Sequence, residues 1–98
     1  MEITKTLDQL TLTIALAGRL DTSTAPALEA ELSTSLTNVA SLVLDFEKLD
    51  YISSAGLRVL LGAQKTMSKQ GSMKVIHVNP DIMEVFEITG FCDVLTIE

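Results

Sequence analysis

Ser53 and Ser54 stand where an apolar run gives way to a helical one, in LDYISSAGLRVLL at residues 49–61. A serine at the start of a helix meets backbone N–H groups without partners and the positive end of the helix dipole. That environment suits an anion. Ser54 therefore reads in two ways. As a helix N-cap it would contribute about 1 kcal/mol over alanine. As a phosphoacceptor it would take on about −1.5 to −2 charges. The dipole would tolerate that charge, whereas a partner docked on the same spot would not. Ala55 and Gly56 are small enough to let a partner's backbone or a nucleotide come close. A second polar group, Asp21, Thr22, Ser23 and Thr24, caps a following helix or serves as a contact point beside Ser54.

A hydrolytic role for Ser54 fails for want of partners. There is no G-x-S-x-G elbow. The one histidine, His77, lies in KVIHV, where a mid-strand imidazole is expected to be buried or packed on a face. It cannot serve a Ser-His-Asp triad from there. The domain is therefore expected to carry out no catalysis.

Composition narrows the classes. The 98 residues are 47% hydrophobic but only 4% aromatic, so one domain (1–98) with an aliphatic core is expected, the methionines filling it. A net charge of −6 argues against binding a phosphate backbone and fits a basic protein partner or simple solubility. The single cysteine, Cys92, excludes an intrachain disulfide and a thiolate cluster, and is expected as a small buried residue. The opening residues carry no apolar targeting segment, and no run reaches the ~18 residues of a membrane span. A cytoplasmic protein is expected.

The positioning elements follow from periodicity. An edge strand around Ile3 and Leu7 turns at Asp8-Gln9. Residues 10–17 alternate apolar with small or polar, a strand with one well-covered face, ended by Gly18. A helix begins near Thr22–Thr24, with Pro26 in its first turn, and runs to about Thr37 on a Leu28, Leu32, Leu36 stripe. Residues 41–46 (SLVLDF) predict a buried strand, and 47–50 (EKLD) a polar turn. The helix from Ser54 to about Gln70 turns Leu57, Leu60, Leu61 and Met67 inward. Gly62 is expected to pack against a neighbouring backbone, and Gly71 to stop the helix. Residues 72–78 form a strand, 80–88 a helix capped by Asn79, and 94–97 a last strand. The order β-β-α-β-α-β-α-β predicts a mostly parallel sheet, an N-terminal hairpin strand at one edge and helices mainly on one face. If the second and third strands are parallel neighbours, the Asp21 and Ser54 loops leave the same edge of the sheet.

These residues resemble the STAS domain family, and within it the bacterial anti-sigma-factor antagonists, along nearly the whole chain. The pattern G-x-[LI]-D-x-x-T-A-x-x-L appears as Gly18, Leu20, Asp21, Thr24, Ala25 and Leu28. The strand-to-helix pattern L-D-F-x-x-[LV]-x-[YF]-[IM]-D-S-[ST]-G-L appears from Leu44-Asp45-Phe46 through Leu49, Tyr51-Ile52 and Ser53-Ser54-Ala55-Gly56-Leu57. The segment from Ile88 to Val94 matches I-T-G-F-x-x-V. The resemblance implies an unphosphorylated form that binds a serine kinase, itself the anti-sigma factor, and so frees a sigma factor. It implies Ser54 as phosphoacceptor and Asp21 as a kinase and nucleotide contact, with Thr22, Thr24, Ser53, Ala55, Gly56 and Arg58 in the partner surface. ATP and Mg²⁺ would belong to the kinase, so the domain itself needs no cofactor. A serine phosphatase would reset the switch, and neither nucleic acid nor membrane is an expected partner. Two positions depart from the pattern: Ser53 replaces the usual aspartate and becomes a backup acceptor, and Ala55 replaces Ser or Thr. The departures leave open a relative that works without sigma factors, as a transporter accessory subunit or signalling scaffold.

Overall fold

The computed structural model describes all of residues 1–98. Four strands form one sheet in the order β1-β2-β3-β4. β1 (Glu2–Asp8) pairs antiparallel with β2 (Thr11–Leu20). β2 pairs parallel with β3 (Ser41–Ile52), and β3 parallel with β4 (Ser72–Ile76). Helices α1 (Ala25–Ser35), α2 (Ser54–Ser68) and α3 (Pro80–Thr89) follow β2, β3 and β4. Because each crossover steps to the next strand in the same direction, right-handed connections put the helices on one face. The other face stays open.

The two faces explain β2. Leu12, Ile14, Leu16 and Leu20 are buried under the helices, while Thr11, Thr13, Ala15 and Ala17 lie half-exposed opposite them. The core they join is entirely apolar, with Leu42, Leu44, Phe46, Leu60, Met67 and Phe86 among its fully enclosed side chains. The rings of Phe46 and Phe86 lie 6.4 Å apart, centroid to centroid, and tie α3 to the sheet. Each such side chain stabilises the fold by roughly 1.5–3 kcal/mol through burial.

Several boundaries differ from the sequence expectation. The hairpin turns at Gln9-Leu10, with Gln9 in the left-handed region (φ 57°), so Leu10 is exposed instead of opening β2. Gly18 does not end β2. It sits inside the strand at φ 103°, beside a register shift that lets pairing continue to Leu20. Residues 47–50 are not a turn. β3 runs through them to Ile52, still paired with β2, and a bulge between the Ala15–Asp45 and Ala17–Lys48 pairs absorbs the extra residue. The charged residues there face solvent while Leu49 stays buried, which is how a strand with one open face reads as a polar turn. α1 begins at Ala25, and α2 ends at Ser68 with Lys69 as its cap. Gly62 meets nothing: a Cβ there would face open space. Leu61 is only partly buried, and Cys92 is exposed in a 3₁₀ turn at Phe91–Asp93. The expected last strand shrinks to a single parallel bridge between Val75 and Ile97.

Asn79 links two elements. Its carbonyl oxygen accepts from the Ile82 amide (2.8 Å) as the α3 cap, and its Nδ2 donates to the carbonyl of buried Leu49 (3.0 Å). Asn79→Ala removes a cap and strands a carbonyl, so a loss of about 2–3 kcal/mol in urea unfolding is expected. Asn79→Asp is expected to recover only part of it, because the carboxylate keeps the cap but cannot donate to Leu49.

Candidate functional site

The loops carrying Asp21 and Ser54 do leave the same edge of the sheet. Leu20 and Ile52 are register partners at the carboxyl ends of β2 and β3, and the Ser53 amide donates to the Leu20 carbonyl (2.9 Å). That bond fixes where α2 starts. The N-cap is Ser53, not Ser54: its backbone is extended, and its hydroxyl accepts from the Gly56 amide at a long 3.5 Å. Ser54 is the first residue inside the helix, exposed, with its hydroxyl outside the capping arrangement. The two serines thus divide the two readings made of Ser54 alone. Ser53 caps, and Ser54 is left free for a ligand or a modification.

Gly56 has a different role from the one expected of it. It is buried, and a Cβ there would lie 2.7 Å from Leu20 Cγ and 2.9 Å from Ile52 Cγ1. The missing side chain lets the first turn of α2 settle onto the strand ends; it does not clear space for a partner. Ala55, half-exposed, and Arg58, exposed one turn beyond Ser54, do face outward. At that i, i+4 spacing Arg58 shares Ser54's side of the helix.

The Asp21 loop is held from within. Asp21 Oδ1 accepts from the Ser23 hydroxyl (2.7 Å) and from the amides of Ser23 (3.0 Å) and Thr24 (3.1 Å). Thr24 Oγ1 accepts from the Asp21 amide (2.8 Å) and donates to the Arg19 carbonyl (2.8 Å). Thr24 is the formal N-cap of α1 but makes no cap bond to that helix. Thr22 is exposed. Arg19 packs its guanidinium over the Tyr51 ring, 4.1 Å from the centroid, and reaches Asp21 only loosely, at 3.8 Å. Arg19 and Tyr51 are register partners near the carboxyl ends of β2 and β3, and Arg58 stands exposed one turn into α2.

The hydrogen bond from the Ser23 hydroxyl, helped by the Thr24 and Ser23 amides, holds the Asp21 carboxylate below its usual pKa against a smaller opposing effect of desolvation. A depressed folded pKa means stability that is present above the unfolded value of about 3.9 and lost as pH falls through the folded one. Asp21→Asn is expected to lower the unfolding midpoint at neutral pH. The gap to the parent should narrow in melts as the pH falls below the usual carboxylate range and through the lowered folded pKa, where the Asp21 carboxylate takes up its proton.

His77 is the plainest miss of the sequence reading. It is neither mid-strand nor buried: it follows β4, exposed, at φ 58°. Its Nδ1 lies 2.9 Å from Asp45 Oδ1 and 3.9 Å from Glu47 Oε2. The Asp45 hydrogen bond raises the His77 pKa against a smaller effect of desolvation. Partial burial pushes the Asp45 carboxyl up, but the His77 hydrogen bond and the Glu47 amide outweigh it and leave the pKa lowered. Asp45 and Glu47 are i, i+2 on the open side of β3, a spacing visible in sequence; the turn that brings His77 over them is not. This cluster lies away from Ser54, toward the open face of the sheet.

Comparison with known proteins agrees with this architecture. The STAS domain model matches residues 2–98. The chain is 42% identical over 84 residues to BtrV of Bordetella bronchiseptica, provisionally named an anti-sigma factor antagonist, covering 84% of this chain and 72% of that protein. It is 32% identical over 85 residues to the anti-sigma-B factor antagonist of Bacillus subtilis, covering 86% of this chain and 78% of that one. Among solved structures, the phosphorylated form of the Bacillus cell fate determinant SpoIIAA superposes with a TM-score of 0.77 at 22% identity, covering 99% of this chain and 91% of that one. No helix here is long and apolar enough to cross a membrane. With a four-stranded mixed sheet, three helices and that match along its length, the chain belongs to the STAS domain family.

Proposed function

We propose that this chain, acting as one STAS module, is an anti-sigma factor antagonist whose partner binding is switched off by phosphorylation of Ser54. The observation that carries the reading is the division of labour at the start of α2: Ser53 caps the helix, and Ser54 stands exposed and uncommitted beside the Asp21 loop. A phosphate on Ser54 would sit at the helix N-terminus with Arg58 one turn away, so the fold would carry it without strain. The names of the relatives support an anti-sigma factor as the partner, and the phosphorylated form of SpoIIAA supports phosphate on this fold. In this reading Asp21, Thr22, Thr24, Ala55 and Arg58 line the docking surface. The kinase, which brings ATP and Mg²⁺, is itself the anti-sigma factor. A phosphatase restores the active form, and the domain performs no chemistry of its own in the cytoplasm.

The test is displacement. The purified, unphosphorylated chain is added to a preformed complex of its anti-sigma factor and sigma factor, and free sigma factor is measured by native gel and by transcription with core polymerase. Release in proportion to added chain is expected. No release, together with stable binding to a transporter or scaffold protein, would replace this reading with the sigma-independent one.

A further inference from the structure

We propose that Asp45, Glu47 and His77 form a binding site for a late first-row divalent cation, with Zn²⁺ the representative, on the open side of the sheet. It stands apart from the Ser54 edge and does not depend on the function proposed above.

Three observations carry it. First, the donor atoms converge. One imidazole nitrogen and one oxygen from each carboxylate all lie within 4.8 Å of one another. Two donors on a tetrahedral zinc, each at about 2.0–2.1 Å, stand roughly 3.3 Å apart. The separations from His77 Nδ1, 2.9 Å to Asp45 and 3.9 Å to Glu47, fall on either side of that edge length. The exposed His77 and Glu47 side chains close such differences by small rotations. Second, the backbone holds the donors there. The β3–β4 ladder ends at the Asp45–Ile76 pair, and His77 follows it at a positive φ that turns its ring toward β3. The bulge in β3 begins just after Asp45, and the Glu47 amide donates back to Asp45 Oδ1 (3.0 Å). Third, neither carboxylate is within ion-pair distance of a lysine or arginine; His77 is the one basic side chain that reaches them, and Lys48 lines the same depression without pairing to either.

Two carboxylates and one imidazole suit zinc and its late first-row neighbours, while magnesium and calcium prefer all-oxygen sites. On binding, the Nδ1–H···Oδ1 contact is exchanged for two bonds to the metal. The imidazole takes the Nε2–H tautomer, and any Nδ1 proton goes to solvent. Three protein ligands leave at least one position open. Beside it lies a shallow depression of about 320 Å³ walled by Thr4, Ala15, Ala17 and Lys48, together with Asp45 and Glu47. Water fills the open position in the isolated chain, and the cation fastens the β4–α3 connection to β3.

The experiment is calorimetric titration of ZnCl₂ into chelator-treated protein at neutral pH. It uses a Cys92→Ser background, so that the exposed thiol contributes nothing. One site per chain is expected, with amide shifts confined to residues 45–47 and 76–78 and no matching response to MgCl₂. His77→Gly is the decisive variant, because glycine accepts the positive φ that histidine holds here, so the fold survives while a ligand is lost. Glu47→Gln changes only an exposed carboxylate. Each is expected to weaken zinc binding by about tenfold or more and to remove the zinc-dependent rise in unfolding midpoint. Unchanged affinity in both variants, shifts centred elsewhere, or no heat from the parent would overturn the site.

Discussion

Ser54→Asp is expected to weaken binding to the anti-sigma partner by about 2–5 kcal/mol, roughly thirtyfold or more, while leaving the fold intact. The loss comes from placing a fixed negative charge in a surface that docking strips of water. The fold is spared because Ser54 is exposed, is not the cap, and lies at a helix start where negative charge is favoured by about 0.3–1 kcal/mol. Ser54→Ala is expected to bind as the parent does and to stay within about 0.5 kcal/mol of its stability. Ser53→Ala reverses the pattern: it loses the cap, about 0.5–1 kcal/mol given the long 3.5 Å bond, and keeps the acceptor. Affinity by surface plasmon resonance and stability by urea unfolding separate the three. If Ser54→Asp bound the partner as well as Ser54→Ala, the switch would have to lie elsewhere.

The largest stability effect is expected at Gly71. A Cβ there would run into the carbonyl of Ala40, and this backbone cannot retreat. The Ala40 amide donates to Leu10 (2.9 Å), and its carbonyl accepts from Ser72 (2.9 Å), so Ala40 is fastened on both sides at the start of β3 and β4. Gly71→Ala must push these strands apart or break the Gly71 amide bond to Met67 (2.7 Å). A cost above about 3 kcal/mol follows, a large share of the stability of a domain this size. Gly62→Ala supplies the opposite sign. That glycine lies inside α2 over open space, so the same substitution is expected to gain about 0.5–1 kcal/mol. Denaturant midpoints of the two variants, measured side by side, check both. Gly71 was legible only as a helix stop, yet the helix already closes at Lys69, and what demands glycine is a contact with a residue thirty-one positions earlier.

That contrast shows where the sequence speaks and where it falls silent. The alternation of Leu12, Ile14 and Leu16 gave both the strand and its one-sided burial, because period two is a local property. The Asn79-Pro80 start and Gly90 stop of α3 were equally local. The sheet order followed from right-handed crossovers, and with it the meeting of the Asp21 and Ser54 loops. The misses come from long-range partners. β3 continues through EKLD because β2 remains beside it, and no pattern within the tetrapeptide says so. His77 looked like one more residue of an apolar strand until a positive φ swung it out to Asp45. At the Ser53-Ser54 pair the spacing alone could not say which hydroxyl was the cap; the Ser53 amide bond to Leu20, made across strands, sets the register of α2 and answers it.

Phosphoacceptor mapping tests the central claim most directly. The parent chain, Ser54→Ala and Ser53→Ala are each incubated with the cognate kinase, ATP and Mg²⁺, and the intact masses are compared. One phosphate on the parent and on Ser53→Ala, and none on Ser54→Ala, is the expected result. An equal phosphate on Ser54→Ala, or none on the parent, would contradict the assignment of Ser54 as the switch.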